Sequence, residues 1–269
     1  MMTGIVFTFA SSFAMKVFHN YGPDMSDGTQ DGTVASRVAG VNALSYGLLT
    51  YLAVINKELL PNLHHVLGYT LLPNILHISI REIFQSNKSR NYKRIATMVS
   101  VILCVCSYSL VHDDHTSLLS TDHAAYLSVG ILGTISILRI FLPDTMMYLL
   151  ELDSTATYGT SSKQETTKTK KKNPASSSSS LQSKLNYQLK FVCQAVGVHT
   201  LDYLLLFYLL YKGMDPIEAV GYALIGNVAL AVPICLFPNS PLRNSGSNVS
   251  LMYGFMSLYV YMAYKMIGL

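Results

Sequence analysis

Apolar residues in this chain gather into runs instead of alternating with polar ones. The clearest runs are Ala35–Asn56, Arg94–His112, Ala124–Leu142, Leu185–Tyr211, Met214–Phe237 and Asn248–Leu269. Each is near the length needed to cross a bilayer, about 20 predominantly apolar residues over roughly 30 Å of hydrocarbon. Leu63–Phe84 is a polar-faced companion carrying His64, His65, Asn74, His77 and Arg81. Gly4–Phe18 is shorter, about 22 Å at about 1.5 Å per residue. It also has the look of a secretory signal, with Ser12-Phe13-Ala14 as a small-residue site, but no positive residue precedes the apolar run. The pattern predicts an all-α fold, a polytopic transmembrane bundle of about eight helices.

Local boundary signals agree with this division. Asp215-Pro216-Ile217-Glu218 supplies an acidic N-cap, proline at the first helical position and Glu at the third, which satisfies orphan amides and complements the helix dipole. Pro73 and Pro233 fall inside predicted helices, where each removes an amide donor and is expected to kink the helix. The segment 153–183 differs from everything else. Its lysines Lys163, Lys168, Lys170, Lys171 and Lys172 precede the serine run Ser176–Ser180. Few apolar side chains are present to offset ordering entropy, so a disordered, Lys/Ser-rich cytoplasmic linker is expected.

The composition sharpens the class. Hydrophobic residues make up 50% of the 269 and charged residues 13%, against about 25% charged in soluble domains. A soluble domain is therefore disfavoured, and the lipid bilayer is the expected partner. Four cysteines in a chain of this length do not make a secreted disulfide framework, and no basic, aromatic-interleaved domain speaks for nucleic acid. Taking eight helices in order, sixteen of the nineteen Lys and Arg residues fall on one side. By the positive-inside rule that side is cytoplasmic, and both termini are exoplasmic or lumenal. The Lys/Ser tract points to a eukaryotic endomembrane.

An internal duplication is also legible. Gly40–Leu52 aligns without gaps to Gly197–Leu209, eight of thirteen positions being identical, and Gly68–Asn74 aligns to Gly221–Asn227 with four of seven. In the first block Asn42 and Ser45 match His199 and Asp202, and in the second Asn74 matches Asn227; Tyr46 and Tyr51 recur as Tyr203 and Tyr208, and packing is the expected role of these tyrosines. Two four-helix units follow, residues 1–118 and 119–269, with the linker between the first two helices of the second. An even number of helices gives both units one orientation, so they are parallel repeats about an axis along the membrane normal.

Candidate chemistry centres on Asp202, deep within an apolar stretch. A carboxylate near the bilayer centre costs about 2.5–3.5 kcal/mol on insertion scales, so it normally faces a partner or a water-filled cavity. His199 is three residues earlier on the same helical face. With Asn42, Ser45, Asn74 and Asn227 these residues form a polar set suited to a small polar solute, an ion or a proton. Interhelical hydrogen bonding is the plainer role for the same residues. A second cluster, His112, Asp113 and His115, offers imidazole and carboxylate donors for a divalent metal, although its spacing is unspecific and a solvated acidic loop is the favoured account of it. No cofactor is otherwise expected. Cys104 and Cys106 are two apart on a helix and point to different faces, so packing is their expected role. Neither a Gly-rich phosphate loop, a GxSxG elbow nor a CxxC pair is present. The expectation is a carrier or channel-like protein. The alternatives are a structural or accessory membrane protein with a protein partner, and a membrane-embedded metal-dependent enzyme.

Overall fold

A computed structural model describes residues 30–55, 62–77, 79, 89–112, 117–149, 175–236, 240–244 and 249–268. The described residues are all-α. The helices are α1 (Gln30–Ile55), α2 (Leu63–His77), α3 (Arg90–Val111), α4 (Thr121–Phe141), the short α5 (Pro143–Leu149), α6 (Ala175–Tyr211), α7 (Pro216–Leu236), the single turn α8 (Pro241–Asn244) and α9 (Val249–Ile267). Each long helix coincides with a predicted apolar run. Gly4–Phe18 lies outside the described residues, as do residues 153–174 of the expected linker.

Among the described residues, four segments are long and apolar enough to cross a membrane: Arg90–Val111, Thr121–Phe141, Leu189–Tyr211 and Pro216–Cys235. A shorter apolar stretch, Ala43–Ile55, is described in α1, and α9 interleaves tyrosine and serine with its aliphatic residues. Outward faces carry large apolar side chains such as Ile95, Met98 and Val101 on α3 and Ile137 and Phe141 on α4. A hydrocarbon environment suits such faces where water does not. The chain is an integral membrane protein with four candidate spans.

The ends of the helices follow their sequence signals. Helix α7 starts at Pro216, and Asp215 Oδ1 accepts from the amides of Ile217 at 2.8 Å and Glu218 at 3.4 Å. Helix α6 closes with Gly213 at φ 80°, where the Gly213 amide reaches the Leu210 carbonyl at 2.9 Å and Met214 that of Leu209 at 3.1 Å. Glycine meets that left-handed φ without a Cβ clash. At its other end α6 departs from expectation, beginning at Ala175 and taking Ser176–Ser180 into the helix. Propagating an existing helix adds one hydrogen bond per residue fixed, so the apolar segment carries the serine run with it.

Helix α6 is the centre of the bundle: 61% of its Leu189–Tyr211 window is buried, against 22–39% for the other three spans. It packs on α1, α4 and α7, while α2 packs on α1 and α3, and α9 on α7. Leu49, Leu67, Leu71, Leu103, Leu110 and Leu206 are fully buried where these helices meet. Close approach depends on small residues. Any Cβ on Gly68 of α2 would stand 2.7 Å from Val111 Cγ2 and 3.0 Å from the Ser107 carbonyl on α3, and Ser107 Oγ donates to the Gly68 carbonyl at 2.8 Å. On α7, a Cβ on Gly221 would stand 2.7 Å from Ile267 Cγ1 of α9. Small residues that let backbones approach are a common basis of helix packing in lipid. Near one end of α6, Lys190 Nζ pairs with Asp144 Oδ1 at 2.7 Å, and Gln194 Nε2 donates to the Ile140 carbonyl at 2.9 Å.

Candidate functional site

Four of the buried polar side chains, Ser45, Thr70, Asp202 and Asn227, form a layer where α1, α2, α6 and α7 meet. Ser45 of α1 donates its hydroxyl proton to the Val41 carbonyl one turn back, at 3.1 Å, and accepts from Asn74 Nδ2 of α2 at 3.2 Å. On the other side, Asp202 Oδ2 of α6 accepts from Asn227 Nδ2 of α7 at 3.1 Å. In the sequence alignment Ser45 corresponds to Asp202 and Asn74 to Asn227, so the two bonds link corresponding pairs of positions.

A third bond joins α6 to α2. The Tyr203 hydroxyl of α6 lies 2.6 Å from Thr70 Oγ1 of α2, and Thr70 itself donates to the Leu67 carbonyl at 2.9 Å. Threonine has one hydroxyl proton, so the phenol is the donor across the interface. Thr70→Val strands that donor in an apolar site, whereas Tyr203→Phe leaves Thr70 satisfied by Leu67. Thr70→Val is therefore expected to lower unfolding stability by about 1–2 kcal/mol and Tyr203→Phe by less, as read from denaturation midpoints in detergent.

The matching position on α1 is Tyr46, whose hydroxyl is buried and has no hydrogen-bond partner among the described residues. Thr50, one turn on, donates to the Tyr46 carbonyl at 2.9 Å instead. Asp202 Oδ1 is likewise buried without a partner. The Asp202 residue is 4% exposed, and Tyr46 and Tyr259 of α9 both lie within Coulombic range of its carboxylate. The remaining buried side-chain atoms of this kind, Ser109 Oγ and Gln194 Oε1, sit elsewhere.

The structure thus brings Asp202 together with Asn227, and Ser45 with Asn74, but His199 stands apart. It is half-buried, and no hydrogen bond joins it to Asp202. Asn42 falls outside the residues whose side chains are described. Among the metal candidates, His112 caps α3, its ring stacked on Tyr108 with centroids 4.4 Å apart; Asp113 and His115 lie outside the described residues. Among the described residues no group of three or more His, Cys, Asp or Glu side chains is placed to hold a metal ion. Cys104 is exposed and Cys106 buried, as their spacing on one helix requires, and all four cysteines are free thiols.

Sequence reasoning assigned Tyr46 and Tyr203 to packing and overlooked Thr70. A signal was present in the alignment, since the two tyrosines recur while Thr70 is answered by Ala223. Tyr259 carried none. Recurring Tyr51 and Tyr208, by contrast, are 48% and 54% exposed near the ends of their helices, where an amphipathic ring suits the head-group boundary.

No family model, curated protein or solved structure matches the chain.

Proposed function

We propose that this chain is a carrier or channel-like membrane protein for a small polar solute, ion or proton, with Asp202 as the group that takes up charge. The observation that carries the proposal is the spare carboxyl oxygen. Ser45 and Asp202 do the same mechanical work, each accepting one bond from an asparagine on the next helix. A serine or an asparagine at 202 would serve that purpose without placing an ionisable group in a low-dielectric interior. Asp202 does so with Oδ1 unpartnered, and ionisable residues in membrane helices mark solute, ion or proton pathways by default.

Two parallel units fit this reading. The matched Ser45–Asn74 and Asp202–Asn227 bonds support the duplication, as do the close crossings of Gly68 on α3 and of Gly221 on α9. The polar layer then lies between the repeats. The excess of Lys and Arg on one side supports exoplasmic or lumenal termini. The test is flux: purified protein in sealed vesicles is expected to dissipate an imposed pH gradient or take up ions faster than empty vesicles. Rates equal to those of empty vesicles across protons, alkali cations and small polar solutes would sink the proposal.

One set of observations favours a second reading, that of a structural or accessory membrane protein. Thr70–Tyr203 joins α2 to α6, and Ser79 bonds Ser100 of α3 at 2.7 Å; bonds of this kind specify helix pairing. That reading calls for a co-purifying protein partner.

A further inference from the structure

The two halves of the polar layer are not equally closed. In one half the aromatic hydroxyl crosses to the facing unit and finds Thr70. The aligned tyrosine on α1 is Tyr46, and α1 touches α7. The position of α7 aligned with Thr70 is Ala223, fully buried and without a polar side-chain atom. The Tyr46 hydroxyl has no hydrogen-bond partner among the described residues. The adjoining position on α6 is Asp202, with a free carboxyl oxygen, whereas its counterpart Ser45 has both its proton and its lone pair engaged. Thr70 and Asn74, one turn apart on α2, bond Tyr203 and Ser45 respectively, which sets the Ser45-Tyr46 and Asp202-Tyr203 pairs at one level of the bundle. Both unpartnered oxygens therefore belong to a single half of one layer.

We infer that Asp202 Oδ1 and the Tyr46 hydroxyl form a binding site for one alkali-metal cation, sodium or potassium, in this half of the layer alone. The inference rests on the carrier reading and narrows its substrate class. Charge selects valence: a single carboxylate neutralises a single positive charge, and a divalent ion would leave one charge uncompensated in a low-dielectric interior. Donor chemistry selects the class of metal, since carboxylate and phenol oxygens are hard ligands that suit hard cations over thiolate-seeking ones. No Lys or Arg is paired with Asp202 among the described residues, so the carboxylate has no resident counter-charge there. Asn227, held against Oδ2, fixes the carboxyl rotamer and leaves Oδ1 turned away from the α7 bond.

The experiment is thermal melting of the purified full chain in detergent, in sodium, potassium or choline chloride at equal ionic strength. A ligand that binds only the folded state raises the melting temperature in a concentration-dependent way. The parent is expected to melt higher in sodium or potassium than in choline. Asp202→Asn and Tyr46→Phe are expected to lose that increment. Ala223→Ser, which offers Tyr46 the hydroxyl that Thr70 offers Tyr203, is expected to reduce it, and Thr70→Val to melt lower overall with the increment intact. Equal melting of the parent in all three salts, an increment that survives in Asp202→Asn, or a larger one with calcium would each overturn the cation site. Vesicle flux separates this from the carrier reading. Asp202-dependent flux without a cation increment defeats the site and spares the carrier, and an Asp202-dependent increment without any flux defeats the carrier and spares the site.

Discussion

Asp202→Asn is expected to reduce flux in reconstituted vesicles to the level of empty vesicles while leaving helix content and the size-exclusion profile unchanged. The carboxamide has nearly the shape of the carboxyl and can keep its oxygen toward Asn227 Nδ2, preserving the bond that links α6 to α7. What it loses is the capacity to carry negative charge at the position of Oδ1, the atom without a partner. A residue that only ties helices together would tolerate this exchange, since the interhelical bond survives it. Stability and flux therefore move apart: melting in choline should change by less than about 1 kcal/mol, within the usual range of a retained interhelical bond. Flux equal to the parent's in the Asn variant would reject Asp202 as the charged group. Asp202→Leu is the contrasting case. It strands the Asn227 amide and is expected to destabilise as well as inactivate, because a buried donor left unmade costs about 1–3 kcal/mol.

Gly197→Val should produce a large loss of stability. Even the first carbon of a side chain at Gly197 would stand 2.8 Å from the Ser136 carbonyl oxygen, 2.8 Å from Ile140 Cγ1 and 3.0 Å from Arg139 Cβ. One of those atoms is backbone and another is a Cβ, so neither can swing aside as a long side chain does. Helices α4 and α6 must separate, and with them the cluster formed by Ile140, Phe191, Val192 and Val196. Overpacking of a well-packed interior costs about 1–3 kcal/mol; Gly197→Ala falls within that range and Val beyond it. Gly130→Ala is the control. Nothing lies within 4 Å of a Cβ there, and removing a mid-helix glycine is worth about 0.5–1 kcal/mol in favour of the helix. Melting temperatures that fall equally for Gly197→Val and Gly130→Ala would show that the α4–α6 contact is not as close as drawn.

Much of the architecture was legible before any coordinates. Runs of apolar residues gave the long helices to within a few residues at most ends, because length and hydropathy are local properties. The start of α7 at Pro216 was legible for the same reason, since Asp215 and proline act on amides within one turn. The extension of α6 back to Ala175 was not. There the chain offers polar residues compatible with helix or coil, and the choice depends on what the neighbouring segment already does.

The candidate site divides along the same line. Sequence alone singled out Asp202, because a carboxylate within an apolar run is costly wherever the helix packs, and it supplied Asn227 as a polar residue on the next helix. Geometry decided which polar group each one meets. His199 shares a helical face with Asp202, yet the partner is Asn227, since a bond between helices depends on how α6 and α7 cross and not on spacing along α6. The free hydroxyl of Tyr46 could be found only in three dimensions: a tyrosine in an apolar helix is ordinary until the Tyr203 hydroxyl proves to be met by Thr70 and that of Tyr46 by no partner. Local chemistry fixes where helices run and which residues are costly to bury. Which of those costs are met, and which are left open for a ligand, is settled by packing between segments far apart in the chain.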